Sequence, residues 1–274
     1  MSGLPSPLVA QLALSVPVNG VLLPFKHSVD ALHRFCRPLA FYNHESPFEL
    51  SFSGSTLLLR CQGRNLLLCT RHQLENAHRR ADEIALLVED LNGRTVGLAP
   101  DAANRVVISV PEQANLADVF LAEFKPSRGG VEISRYFLVL DLDKTADLRQ
   151  VRGEVVLAFA IGYPTRFQSV ESEGSEGDGV TRVSIVSRWS KIYLEPSLPK
   201  ALDHENRVPM ELHREFKADI GDPDGFSGAP VFFIWQDASR QAHLGFGGMI
   251  AEANRNGRFL LYEARHLRQV ISAL

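Results

Sequence analysis

Apolar and polar residues alternate with period two along most of this chain, in short bursts separated by glycine, proline, asparagine and aspartate. Such alternation puts every second side chain on one face of an extended strand, whereas a helix needs apolar positions three and four apart. The bursts run over Phe48–Phe52, Ser55–Arg60, Asn65–Cys69, Glu83–Glu89, Arg105–Val110, Asp118–Phe124, Arg135–Leu142, Glu154–Gly162, Thr181–Ser187, Ala229–Trp235, His243–Ile250 and Arg258–Ala264. Many short strands with turn residues between them predict an all-β sandwich or a pair of barrels, and not an alternation of strands and helices. Helical stripes are local. One follows His72, with Leu74, Ala77 and His78 at three- and four-residue spacing; the other is the C-terminal segment, with Leu267, Val270 and Ile271 on one stripe.

The stretch 143–153 turns polar and reads as a crossover between two halves. This predicts an N-terminal extension over 1–46 that packs on the body, a first barrel over 47–148, and a second barrel with a C-terminal helix over 149–274. Between Ser169 and Gly179 the chain is rich in glutamate, serine and glycine. It is expected to be a solvated hairpin loop, because its carboxylates do not fall at EF-hand spacing.

Composition narrows the function classes. A chain of 274 residues with 45% hydrophobic and 22% charged residues has enough apolar material for a sizeable core and is not a disordered sequence. With Lys and Arg at 29 against Asp and Glu at 32, it lacks the basic excess of a phosphate-neutralising protein, so no nucleic-acid partner is expected. The apolar run Val155–Ile161 falls well short of the roughly 20 residues a membrane span requires, so no membrane partner is expected either. No basic residue precedes Lys26, which makes the N-terminus a poor secretory signal and suggests a cytoplasmic location. Three cysteines, Cys36, Cys61 and Cys69, are odd in number and few for the length, so free thiols are expected. A two-residue turn at Gly63-Arg64 would set Cys61 opposite Leu66 and Cys69 opposite Leu58, which keeps the two apart.

Three places can carry chemistry. In Gly225-Phe226-Ser227-Gly228, just before an apolar strand, the glycine two before the serine lets the N–H groups of Gly225 and Ser227 point at one spot, as needed to stabilise a developing oxyanion. The same residues also make an ordinary turn. His72 follows an apolar strand at the entrance to a short helix, a rigid mount for a general base. Asp118 opens another apolar strand, where a carboxylate at the edge of a core needs a partner; orienting an imidazole would supply one, and capping the strand is the plainer alternative.

Taken together, the order His72, Asp118, Ser227 and the contexts CTRH, ADVFLAEF and GDPDGFSGAP resemble the trypsin/chymotrypsin-fold serine peptidases, especially divergent bacterial members without an activation peptide. His72 and Asp118 are 46 residues apart, close to the roughly 45 of the family template. The resemblance runs from about Ser51 to the C-terminal helix and includes Ile161–Pro164. It implies two six-stranded barrels with a cleft between them, and endopeptidase activity on peptide or protein substrates through an acyl-enzyme. Ser227 would be the nucleophile, His72 the general base and then acid, Asp118 the residue orienting His72, and the N–H groups of Gly225 and Ser227 the oxyanion hole. No cofactor and no metal are implied. Gly221, Asp222 and the stretch Ala251 to Ala253 would border the pocket for the residue before the scissile bond. The chain departs from the family pattern, usually GDSGGP or GNSGGP, by carrying Phe226 and Ala229. A buried Phe226 that displaced the loop would leave a weak or inactive domain that binds peptide or protein without cutting, which is the alternative reading. An α/β-hydrolase is disfavoured by Ala229 at the last glycine of its motif and by the order of the three residues.

Overall fold

Leu57, Leu58 and Leu59, and Leu66, Leu67 and Leu68, are continuous apolar triplets because the sheet they build is buried on both faces. The structure, a computed structural model, describes residues 15–18, 21–44, 50–105, 116–142, 145–151, 154–174, 181–200, 207–216 and 222–273. Its strands in chain order are β1 (Ser15–Val18), β2 (Val21–Pro24), β3 (Cys36–Tyr42), β4 (Leu50–Cys61), β5 (Arg64–Thr70), β6 (Leu86–Glu89), β7 (Thr95–Leu98), β8 (Ala102–Arg105), β9 (Val119–Phe124) and β10 (Ser127–Arg128). There follow β11 (Val131–Glu132), β12 (Leu138–Val139), β13 (Val155–Gly162), β14 (Gln168–Gly174), β15 (Thr181–Ser187), β16 (Ser190–Pro196), β17 (Arg207–Leu212), β18 (Pro230–Gln236), β19 (Ala242–Ala253) and β20 (Arg258–Glu263). The helices are α1 (Phe25–His33), α2 (Arg71–Asn76) and α3 (Ala264–Ser272).

The expectation of two barrels is half wrong. One six-stranded barrel closes in the order β13-β16-β17-β20-β19-β18. The sheet of the first half stays open, in the order β12-β4-β5-β9-β8 with β3 also paired to β4. The reason lies in two segments that read as strands but are mostly turns. Over 83–89, a 3-10 turn at Ala81–Glu83 leaves only four residues for β6, which pairs with β7, while Ile84 ahead of it makes an isolated bridge to Phe41 of β3. Over 135–142, a 3-10 turn at Ser134–Tyr136 leaves a two-residue β12 lying parallel to β4. Neither piece is long enough to join the two edges of the sheet.

Elsewhere many expected bursts are strands with adjustments, while β3, β7, β16 and β17 fall outside every one of them. The two bursts on either side of Gly54 are one strand, β4, and Gly54 takes φ +70° within it. The turn joining β4 to β5 is Gln62-Gly63, not Gly63-Arg64. Both central residues have positive φ, as the tightest hairpin turn demands, and Cys61 therefore faces Arg64 while Leu58 faces Leu67. Part of the expected acidic loop is strand, since β14 pairs with β15 from Gln168↔Ser187 to Gly174↔Thr181; residues 175–180 lie outside the described residues, as do 106–110 of the expected strand at Arg105–Val110. The three cysteines are free and buried. Burial pushes the thiols of Cys36 and Cys69 far up, against a smaller lowering by Arg37 at Cys36 and with a further push from Asp118 at Cys69.

Alternation sorts the side chains into three cores. Leu57, Leu59, Leu66, Leu68 and Leu121 face the outside of the barrel at Phe159, Ile161, Phe232 and Met249, and the N-terminal hairpin and α3 extend this layer. Leu58, Leu67, Phe120 and Phe124 face the opposite side. Ala158, Ala160, Met210, Phe233, Ile250, Phe259 and Leu261 fill the barrel. Burying both faces of the first sheet is what fixes the ends of β5 and β9, where His72 and Asp118 sit. Among the described residues no helix is long and apolar enough to cross a membrane.

Glu263 ends β20 just ahead of α3 with its carboxyl buried beside Asp147, Arg149 and Arg265. Burial first, and then Asp147, pushes it up to about 7 despite the two arginines. A carboxyl raised on folding stabilises fully below its unfolded value, roughly 4.3, and that contribution disappears as pH rises through about 7. Glu263→Gln, whose amide donates at every pH, should therefore flatten the fall in melting temperature that the wild type shows between pH 5 and 8. Parallel melting curves would check this, and an equal fall in both proteins would refute it.

Candidate active site

His72 is positioned by the strand it follows. β5 runs extended to Thr70, where α2 begins, and Gln73 fastens that junction: its Oε1 accepts from Thr70 N–H at 2.8 Å and from Thr70 Oγ1–H at 2.9 Å. The Gln73 amide then donates to the carbonyls of Ser53 at 2.8 Å and Ser55 at 3.1 Å, tying the helix to β4.

Asp118 stands directly before β9, the neighbour of β5 in the sheet, with Thr70 opposite Val119. Its Oδ1 accepts from the backbone N–H of His72 at 2.9 Å, and His72 Nδ1 lies 2.9 Å from Oδ2 and 3.1 Å from Oδ1. An ionised carboxylate only accepts, so Nδ1 carries a proton. A fourth bond comes from across the molecule, where the Tyr262 hydroxyl of β20 donates to Oδ2 at 3.0 Å. Burial works to raise the Asp118 carboxyl, but the bonds and charge of His72, with the Tyr262 bond, overcome it and hold the group below its ordinary range. Burial and the neighbouring Asp118 charge drive the Tyr262 phenol far up, so it remains a donor. Tyr262 is fully buried under Arg207, whose guanidinium lies 5.3 Å from the ring centroid.

Ser227 sits in a loop that the open sheet and the barrel hold between them. Ser55 N–H donates to the Ser227 carbonyl at 3.1 Å, Ser55 Oγ donates to the Gly225 carbonyl at 2.6 Å, and the same Oγ accepts from Tyr163 N–H at 2.8 Å. Gly225 has φ +93°, and a Cβ there would lie 2.5 Å from both Tyr163 O and Thr165 N, so only glycine fits. Phe226 N–H, Gly228 N–H and Ala229 N–H all find carbonyl partners, whereas the N–H groups of Gly225 and Ser227 have none among the described residues.

The site thus brings His72 and Asp118 together and seats the Ser227 loop against the strand that anchors α2. It does not join the last link. Among the described residues no hydrogen bond connects Ser227 to His72, and His72 Nε2 lies 3.3 Å from Thr70 Oγ1. Phe226 is buried in the barrel interior, edge-on to Phe259 with centroids 6.2 Å apart, and Gly162 leaves room for its ring.

The expected pocket border looks different. Asp222 pairs with Arg255 at 2.9 Å and Glu252 pairs with Arg207, so both acids are already engaged by arginines; Gly221 lies outside the described residues. The pattern-based reading missed Ser55, Thr70, Gln73, Arg207 and Tyr262. A polar Ser-Thr pair entering a leucine run was the available signal for Ser55, and nothing local marks Tyr262. Among the described residues no cluster of His, Cys, Asp and Glu could hold a metal ion. Compared with known proteins, the chain matches no family model, and no curated protein is significantly similar to it.

Proposed function

We propose that this protein binds a peptide or protein segment at a serine-peptidase-type site that is catalytically weak. One observation carries this reading: His72 is held by Asp118 as a general base must be, yet among the described residues its Nε2 makes no bond to Ser227 and lies 3.3 Å from Thr70 Oγ1. Without that bond the serine hydroxyl has no base to take its proton, and it is a poor nucleophile at neutral pH. The Ser227 loop still offers a peptide two N–H donors that are unpaired among the described residues, those of Gly225 and Ser227, to meet a backbone carbonyl. The arginines paired with Asp222 and Glu252 argue against a preference for basic side chains.

Those two N–H groups, unpaired among the described residues, favour a second reading, a serine endopeptidase. In it, bound substrate would draw Ser227 Oγ to His72 Nε2; the hydroxyl would attack the peptide carbonyl as the imidazole takes its proton, and the amine would leave with that proton before water hydrolyses the ester. A fluorophosphonate probe separates the two readings because it needs nucleophile, base and oxyanion donors together. The binding reading expects slow or absent labelling of Ser227 and peptides recovered uncut from the complex. Rapid labelling and peptide cleavage, both lost in Ser227→Ala and in His72→Ala, would overturn it in favour of the peptidase.

A further inference from the structure

Ser55 links the Ser227 loop to a second feature. The next residue, Thr56, pairs with Arg37 of β3, and Arg37 lines a cavity of about 250 Å³ together with His33, Pro38, Leu67, Tyr163 and Trp189. The indole of Trp189 stacks on the His33 ring with centroids 4.8 Å apart and planes inclined by 19°. Tyr163 spends its hydroxyl on the Cys36 carbonyl at 3.0 Å and so presents only its ring. Its carbonyl packs against Gly225, so the cavity adjoins the loop of Ser227.

The guanidinium of Arg37 is the unexplained group. Its Nε is buried and meets no acceptor, and no described carboxylate pairs with it or lines the cavity. Elsewhere the chain matches buried or half-buried arginines to acids, as in Arg64 with Glu123 and Arg207 with Glu252. A planar fork of donors beside a stacked aromatic wall suits a carboxylate on a short apolar or flat stem. We propose that this cavity binds the carboxylate of a ligand, and that in the bound segment of the preceding reading this group is an acidic side chain or a C-terminal carboxylate. Only that second clause depends on the peptide-binding reading.

Trp189 supplies the readout, because an occupant of the cavity touches its indole. The full-length protein would be titrated with phenylacetate, and with three peptides on one neutral scaffold: one with an internal glutamate and an amidated end, one with glutamine there and a free C-terminal carboxylate, and one with glutamine and an amidated end. Phenylacetate should change tryptophan fluorescence saturably, with the change lost in Trp189→Phe. Its affinity should fall at least tenfold in Arg37→Gln and by less in Arg37→Lys, with melting curves confirming that the variants fold. Whichever of the two acidic peptides exceeds the neutral one by a similar factor identifies the source of the carboxylate. Equal phenylacetate affinity for wild type and Arg37→Gln, or no saturable change in the wild type, overturns the cavity assignment. If phenylacetate binds through Arg37 but no peptide binds, the cavity assignment stands and the peptide-binding reading falls. If all three peptides bind equally, the peptide-binding reading stands and the link between the segment and the cavity falls.

Discussion

Phe226→Asp should destabilise the protein by about 5 kcal/mol or more, enough to lower its melting temperature by upwards of about 10 °C. The substitution introduces the acid common in the family the sequence resembles, and here the physical setting is apolar. Phe226 lies within the closed barrel against Phe259, with its ring over the bare Cα of Gly162. Removing the ring opens a cavity, and a carboxylate placed there has to be desolvated among apolar side chains. Phe226→Leu, which keeps the position apolar, should cost only about 1 kcal/mol. Thermal melts of both variants test the assignment; an aspartate variant as stable as the wild type would mean that the side chain is not buried in the barrel.

Asp118→Asn should slow whatever covalent labelling of Ser227 the protein supports by roughly 10⁴-fold while leaving it folded. An asparagine amide donates to Nδ1, which moves the imidazole proton to Nε2 and leaves no lone pair for a serine proton. Tyr262→Phe removes only one of the bonds to Asp118, so its effect should be far smaller. Labelling rates with circular dichroism as a check on folding decide this, and an unchanged rate in Asp118→Asn would remove the aspartate from the site. Stability carries a second signature. The folded Asp118 carboxyl is held below its ordinary range, so its contribution is present above about pH 4, the unfolded value, and is lost as pH falls through the lower folded value. The stability gap between wild type and Asp118→Asn should therefore narrow on acidification below about pH 4.

The placing of His72 and Asp118 at strand ends was legible because each follows or precedes a burst of apolar alternation, whereas their pairing was implied only by the family resemblance and appears in the structure as the contact of Nδ1 with the carboxylate. Four of the six barrel strands were legible as bursts, and Val155–Gly162, Pro230–Gln236 and Arg258–Glu263 alternate between the barrel interior and its outer face, but β16 and β17 were not legible. Strand β3 and helix α1 were not legible. CRPLAFY carries a proline and no regular alternation, and its pairing with β4 is decided by the neighbour that covers it.

Closure of a sheet is a property of its edges, and periodicity describes only the faces. The sequence therefore determined that this protein is built of short strands with a histidine at the end of one and an aspartate at the start of another, since local alternation and turn residues act within a few positions. Tertiary structure alone decided that one sheet closes and the other stays open, that Tyr262 reaches Asp118 from 144 residues away, and that Nε2 of His72 lies 3.3 Å from Thr70 Oγ1 with no hydrogen bond to Ser227 among the described residues. Each of these depends on where distant backbones are brought to rest against one another, and a side chain's hydrogen-bonding partner is chosen by that approach, within a few tenths of an ångström.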